Sequence, residues 1–307
     1  MIRIGTRGSK LALYQANLLK DILSESFPQE EFEIKIIVTK GDKITDVPLS
    51  KIGDKGLFTK AIEIEMIAGK VDMAVHSLKD LPTVFPEGTR LAGVLKRAEV
   101  RDALITKDGR TLDQLTGNDK IATSSLRRKA SLLAYNPNLN VVEIRGNVDT
   151  RLRKMDEGYC DAMVMAAAGL QRVGYGDRIT QLLDPDLIVP APGQGAIAIE
   201  IRDNDPEILA MIQVINHPDT MLTTQAERRF LRLLEGGCQI PIGCSSTLDG
   251  DSLELKGFLA NVEGTKILVE HVKGSKADGM KLAEELANVV LEKGGRQILD
   301  DLFKEYR

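Results

Sequence analysis

The chain has no tryptophan, and aromatic residues make up only 4% of its 307 positions. That scarcity argues against a stacking platform for single-stranded nucleic acid and against the aromatic belts of membrane interfaces. Cysteine is scarce too. Cys160, Cys238 and Cys244 are an odd number without CxxC spacing, so neither a disulfide framework nor a metal site is indicated. No apolar run approaches the roughly 18 residues that a membrane span needs. The first residues, Met1 to Arg7, alternate like a strand and lack the apolar region of a secretory signal. A surplus of positive charge is also missing: 41 Lys and Arg face 45 Asp and Glu, a net charge of -4, so no global field attracts nucleic acid or an anionic bilayer. A cytoplasmic protein with no nucleic-acid and no membrane partner is expected. Without heptads or large apolar repeats it is expected to be a monomer.

What is present is enough chain, 43% of it hydrophobic, for two or three domains. Residues 2–4 read as a strand, followed after Arg7-Gly8-Ser9 by a helix with Leu11, Tyr14, Leu18 and Ile22 on one face. Residues 31–39 alternate as a half-buried strand, and the polar, glycine-bearing stretch 40–56 reads as a loop. A helix over 59–68 and strands over 71–75 and 90–95 continue the alternation of a mostly parallel sheet. From Asp102 the rhythm restarts: strands over 103–106, 120–123, 141–144 and 162–165, with helices over 126–135 and 148–157. The chain crosses at 96–101 and returns through Pro190-Ala191-Pro192-Gly193-Gln194-Gly195 into a strand over 196–201. The fold class expected is therefore α/β, with a first domain of 1–95 and 196–215 and a second of 100–190 flanking a cleft. A small α+β domain over 218–307 closes the chain, with a helix from Pro218, antiparallel strands around Asp249-Gly250 and Glu263-Gly264, and one or two final helices.

The strongest local departure from the acidic average lies between Arg127 and Lys154, where seven basic side chains face only Glu143 and Asp149. Arg127 and Arg128 follow Thr123-Ser124-Ser125, and Arg145-Gly146-Asn147 follows another strand, so both groups sit at strand C-terminal ends. That edge of an open α/β sheet is where ligands bind, beside helix N-termini with free N–H groups. Guanidinium forks match carboxylates or phosphates, so the ligand should carry several anionic groups. Arg153 and Lys154 read as a solvated helix face. Arg7 and Ser9 occupy the equivalent turn of the first unit, and Lys51 and Lys55 lie on the loop. His76-Ser77-Leu78-Lys79-Asp80-Leu81-Pro82 follows a further strand. There Asp80 is a candidate proton shuttle or cation stabiliser, or else a helix cap before Pro82; His76 equally suits a core position. Cys238, flanked by Gly236 and Gly237, suits covalent attachment, while Cys160 and Cys244 read as small buried residues.

These segments together resemble the porphobilinogen deaminase (hydroxymethylbilane synthase) family along the whole chain. The resemblance is carried by Gly5 through Leu13, Lys55-Gly56-Leu57-Phe58, His76 through Pro82, Thr123 through Arg128, Arg145-Gly146-Asn147-Val148 with Arg151, Ala168 through Arg172, Pro192 through Gly195, and Gly236 through Pro241. It implies two tandem domains like type II periplasmic binding proteins and a third carrying the cofactor. It further implies a transferase that condenses four porphobilinogen molecules, with loss of ammonia, onto a dipyrromethane primer to give 1-hydroxymethylbilane in haem biosynthesis. On this resemblance Cys238 holds the primer through a thioether and Asp80 is the essential carboxylate. Ser77, Lys79, Asp80, Thr123, Ser125, Arg127, Arg128, Arg145 and Gly146 bind the primer. Arg7, Ser9, Arg145, Arg151, Arg172 and Gln194 bind substrate, and Lys51, Lys55 and Phe58 belong to a lid. Without the resemblance a non-catalytic binding protein for a small polyanion would be equally supported; Cys238 separates the two.

Overall fold

The computed structural model describes residues 1–43, 56–235 and 240–306. In chain order they form β1 (Ile2–Thr6), α1 (Lys10–Ser26), β2 (Phe32–Ile36), α2 (Lys40–Lys43), α3 (Lys60–Ile67), β3 (Met73–Ser77) and β4 (Thr89–Val94). There follow β5 (Asp102–Thr106), β6 (Lys120–Ala122), α4 (Leu126–Tyr135), β7 (Asn140–Val142), α5 (Val148–Asp156), β8 (Ala162–Ala166), α6 (Ala167–Arg172) and β9 (Gln181–Leu182). The chain continues with β10 (Ile197–Arg202), α7 (Pro206–Ile215) and α8 (Pro218–Leu233). It ends with β11 (Ile242–Asp249), β12 (Ser252–Ala260), β13 (Ile267–Ser275), α9 (Gly279–Val290) and α10 (Arg296–Tyr306). Packing divides the described chain into two compact units, one of residues 1–43, 56–98 and 195–221, the other of 99–194 and the residues from 222 onwards.

In the first unit the strand order is β2-β1-β3-β10-β4. Leu19 and Leu23 of α1 and Ile212 of α7 pack with Ile4, Met73 and Ile199 on one face of this sheet. Ile62 and Met66 of α3 pack with Ala74 on the other. Helix α1 buries Gln15, Ala16, Leu19 and Leu23, one position beyond the stripe expected, and leaves Tyr14 exposed. The cause is visible in the sequence. Leu18-Leu19 and Ile22-Leu23 place apolar side chains on two adjacent stripes, and periodicity alone does not choose between them. Strand β2 is a sheet edge, so its alternation fades: Phe32 is buried while Ile36 and Val38 are exposed.

The second unit contains a sheet of order β7-β6-β8-β5-β9 and a separate antiparallel sheet β11-β12-β13. Phe230, Leu255, Leu286, Val290 and Leu299 form the core shared by that small sheet and helices α8, α9 and α10. Each five-stranded sheet is mostly parallel as expected, with four strands running one way and a single strand reversed. In the first, β10 runs antiparallel to both β3 and β4; in the second, β5 runs antiparallel to both β8 and β9. Each of these is the strand that the chain reaches on crossing from the other unit. The α/β class and the closing α+β part stand as expected. Among the described residues no helix is long and apolar enough to cross a membrane.

Turn chemistry in the closing part is strict at one position. Gly264 has φ 67°, and a Cβ there would lie 2.3 Å from the Ala130 carbonyl oxygen of α4. Gly250 has φ 57° but open space around it. Gly250→Ala should therefore cost about 1 kcal/mol of backbone strain, and Gly264→Ala clearly more, read as the larger drop in thermal midpoint; equal midpoints would contradict the close approach.

Candidate functional site

At the end of β3, Ser77 leads into a 3₁₀ turn over Leu78–Asp80. Leu78 is fully buried, and its N–H donates to the Ala196 carbonyl at 3.0 Å. Ser77 Oγ accepts a hydrogen bond from Gln15 Nε2 at 2.9 Å, and Gln15 is itself buried. Gln15 was not picked out from sequence; the signal was a polar side chain on an otherwise apolar helix stripe. Asp80 is exposed, and no described residue forms a hydrogen bond or ion pair with its carboxylate. It is the last residue of the turn rather than its cap, the position that Ser77 takes. Lys79 is half-buried beside it, while His76 points into the sheet's buried layer.

Arg7 follows β1, and Ser9 caps α1, its Oγ accepting from the Ala12 N–H at 3.3 Å. The Arg7 guanidinium donates to Asp42, with Nε 3.1 Å from Oδ1, and stacks 4.2 Å from the Phe58 ring centroid. Asp42 also accepts from the N–H and hydroxyl of Thr39. Burial pushes the Asp42 carboxyl up, but Arg7 and Thr39 outweigh that and hold it below the usual range. Arg7 and Phe58 are thus brought together, whereas Lys51 and Lys55 lie outside the described residues, as does Cys238.

In the second unit Ser125 caps α4, accepting from the Arg128 N–H at 3.4 Å, and Thr123 Oγ1 accepts from the Ser125 N–H at 3.3 Å. Arg127 and Arg128 both turn inward onto Asp102, which is fully buried. Arg127 Nη1 lies 2.8 Å from Oδ2 and Arg128 Nη2 2.7 Å from Oδ1. Arg127 also donates to the Val189 carbonyl, and Gln194 Nε2 donates to Asp102 Oδ1 at 2.9 Å and to the Val100 carbonyl at 2.7 Å. Burial pushes the Asp102 carboxyl up, yet the two guanidiniums overcome it and hold it far below the usual carboxylate range. The Arg128 Nε–H, also buried, has no hydrogen-bond partner among the described residues.

Arg145 and Gly146 form the turn before α5. Gly146 has φ 119°, and a Cβ there would meet Thr150 at 2.6 Å. Asn147 caps the helix, and the carbonyls of Gly146 and Arg145 accept from Arg151 Nε at 2.8 Å and Lys154 Nζ at 3.1 Å. Lys154 therefore braces the turn, whereas Arg153 is exposed as expected of a solvated face. Arg172 ends α6. Cys160 and Cys244 are buried, and burial pushes the Cys160 thiol up to about 11.

Asp102→Asn leaves two buried guanidiniums without a counter-charge and should cost about 3–5 kcal/mol in a denaturant melt. Because its folded-state pKa is depressed, the Asp102 contribution is complete above about pH 4 and is lost as the pH falls below that. The variant's stability should accordingly vary less with pH on the acid side than the wild type's. Parallel acid limbs would contradict the pairing.

Against known families, residues 2–210 match the model described as porphobilinogen deaminase, dipyromethane cofactor binding domain, and residues 221–288 match its C-terminal domain. Porphobilinogen deaminase of Trichlorobacter lovleyi is 48% identical over 303 residues, covering 99% of this chain and 97% of that one. The proteins of the same name from Geobacter sulfurreducens and Nostoc sp. are 48% and 46% identical, each covering 99% of this chain and 95% of the relative. Among solved structures, the periplasmic VFT2 domain of BvgS from Bordetella pertussis aligns with a TM-score of 0.40 at 15% identity, over 73% of this chain and 92% of that one. A solute receptor for L-cysteine of Neisseria gonorrhoeae aligns with a TM-score of 0.37 at 14% identity, over 70% and 83%. With both family models placed in order and relatives near half identical from end to end, the chain belongs to the porphobilinogen deaminase family.

Proposed function

We propose that the chain joins four porphobilinogen molecules stepwise, releasing ammonia, on a covalently held dipyrromethane primer to give 1-hydroxymethylbilane, and that Asp80 is its catalytic carboxylate. The observation that carries the residue assignment is the state of Asp80: an exposed carboxylate with no partner among the described residues, on a turn anchored by the Leu78 N–H and the Ser77 hydroxyl. Each condensation breaks the bond from the aminomethyl carbon of porphobilinogen to nitrogen and forms one from that carbon to a free pyrrole α-carbon. The proton lost from the α-carbon balances the one that leaves with ammonia, and after four units water breaks the bond to the primer, its hydroxyl going to the product's methylene carbon and its proton back to the primer α-carbon. Positive charge appears on pyrrole nitrogens in between. A fixed carboxylate that accepts pyrrole N–H groups stabilises that charge where it develops, and it can also carry the proton.

The residues suit a dipyrromethane. Its acetate and propionate groups call for guanidinium donors, and the buried Arg128 Nε–H is a donor left over in the described fold. Cys238 would hold the group through a thioether, with Ser77, Lys79, Thr123, Ser125, Arg127, Arg128, Arg145 and Gly146 binding it. When bound, the group supplies the free α-carbon to which the first unit is joined. Arg7, Ser9, Arg145, Arg151 and Arg172 would take the carboxylates of incoming substrate, and Lys51, Lys55 and Phe58 would form the lid. Gln194, fully buried with its amide spent on Asp102 and Val100, acts through Asp102. This reading includes the three-domain division at 1–95 with 196–215, 100–190 and 218–307, and a monomeric cytoplasmic protein without a nucleic-acid partner.

Intact-mass measurement of protein made with porphobilinogen available should exceed the sequence mass by one dipyrromethane, and a bare-chain mass would favour a polyanion-binding protein. Asp80→Asn should keep the fold and the added mass while losing at least about a hundredfold in turnover; near-normal turnover would refute the carboxylate's role.

A further inference from the structure

The layer between the first sheet and α3 holds three ionisable side chains that the reaction does not use. His76 on β3 and Glu200 on β10 share the face with Ala74 and Ala198, since the register pairs His76 with Ala198 and Ala74 with Glu200. His76 Nε2 lies 3.1 Å from Glu200 Oε2, with side chains 5% and 0% exposed. The contact lacks hydrogen-bond alignment: neither His76 Nε2 nor either Glu200 oxygen has a hydrogen-bond partner among the described residues, nor does Oε1 of Glu63, which α3 brings into the same layer. Lys60 and Glu63 of α3 are the charged groups that complete the surroundings, among Ile62 and Met66. Burial pushes the Glu63 carboxyl up, and the Glu200 charge adds to that push.

A buried acid–base pair is a poor source of stability, because an apolar pair of similar volume often serves as well or better. Its distinctive property is position. It ties β3 to β10 at a point two residues before Leu78, and the Leu78 N–H bonds to Ala196 immediately before β10. A one-residue slip between these strands would turn Ser77 toward α3 and His76 toward the face packed by α1 and α7, away from Glu200. We propose that His76 and Glu200 are positioning residues for Asp80: their contact sets the register of β3 on β10 from which the Leu78–Asp80 turn departs. This rests on the reading of Asp80 as the catalytic carboxylate.

The test compares His76→Leu, His76→Gln, Glu200→Gln and the double variant His76→Leu/Glu200→Leu, each as primer-loaded holoenzyme of verified mass. Turnover, KM for porphobilinogen and thermal midpoint are measured for each. Misplacing a reacting carboxylate by a fraction of an ångström should lower kcat about tenfold or more in His76→Leu and Glu200→Gln, with KM changed less than about threefold. His76→Gln, which keeps a polar nitrogen at similar reach against Glu200, should recover most of the loss. The double variant should regain thermal stability without regaining kcat. Full kcat in His76→Leu, or kcat that rises with the midpoint in the double variant, would overturn the proposal. Should His76→Leu not fold, the split between His76→Gln and Glu200→Gln decides: slow Glu200→Gln beside active His76→Gln supports it, and equal rates overturn it. Full kcat in His76→Leu beside a slow Asp80→Asn removes this inference alone, whereas a fast Asp80→Asn removes the reading beneath it.

Discussion

Leu78 is the constraint on which the proposed chemistry depends. Its side chain has no exposure and its N–H is bonded to Ala196, so the residues around it have little choice of direction. Ser77 is held by Gln15, and Asp80, at the end of the short turn, is left projecting. A carboxylate that spent its hydrogen-bonding capacity within the fold would have less to offer a developing cation. The surrounding anchors therefore matter as much as the carboxylate, because they order it in advance of substrate.

The second unit handles charge in the opposite manner. Asp102 is fully buried and ion-paired to Arg127 and Arg128, with Gln194 bonded to the same carboxylate oxygen as Arg128. Two positive charges on one negative leave a net positive charge within the fold, and the unpartnered Arg128 Nε–H gives that surplus a direction. Arg145 sits in the turn before α5, where Asn147 and Lys154 stiffen the backbone around it and Gly146. A chain with a net charge of -4 thus keeps a locally basic arrangement suited to a ligand rich in carboxylates.

Much of this was legible in the sequence wherever the determinant was local. Helix α4 begins and ends at the residues read from the pattern, because Ser125 is a strong cap and Tyr135 precedes Asn-Pro. The hairpin turns of the closing sheet lie at Asp249-Gly250 and Glu263-Gly264, where a positive φ favours glycine. What escaped was long-range. Nothing near Arg127 announces that Asp102, 25 positions earlier, will turn it inward. Nothing around 197–202 says that the strand will insert antiparallel between β3 and β4. The buried stripe of α1 was displaced by one position because two adjacent stripes were both apolar. Gln15 went unnoticed for the same reason, as its role appears only once Ser77 is folded against it.

The central claim is that a carboxylate, and not merely a polar side chain, is required at the end of β3. Chemical rescue measures this most directly. In primer-loaded Asp80→Ala, turnover of porphobilinogen should be nearly abolished and should rise with added formate to a saturating value, while formate leaves the wild type unaffected. Wild-type turnover in Asp80→Ala without formate would contradict the account.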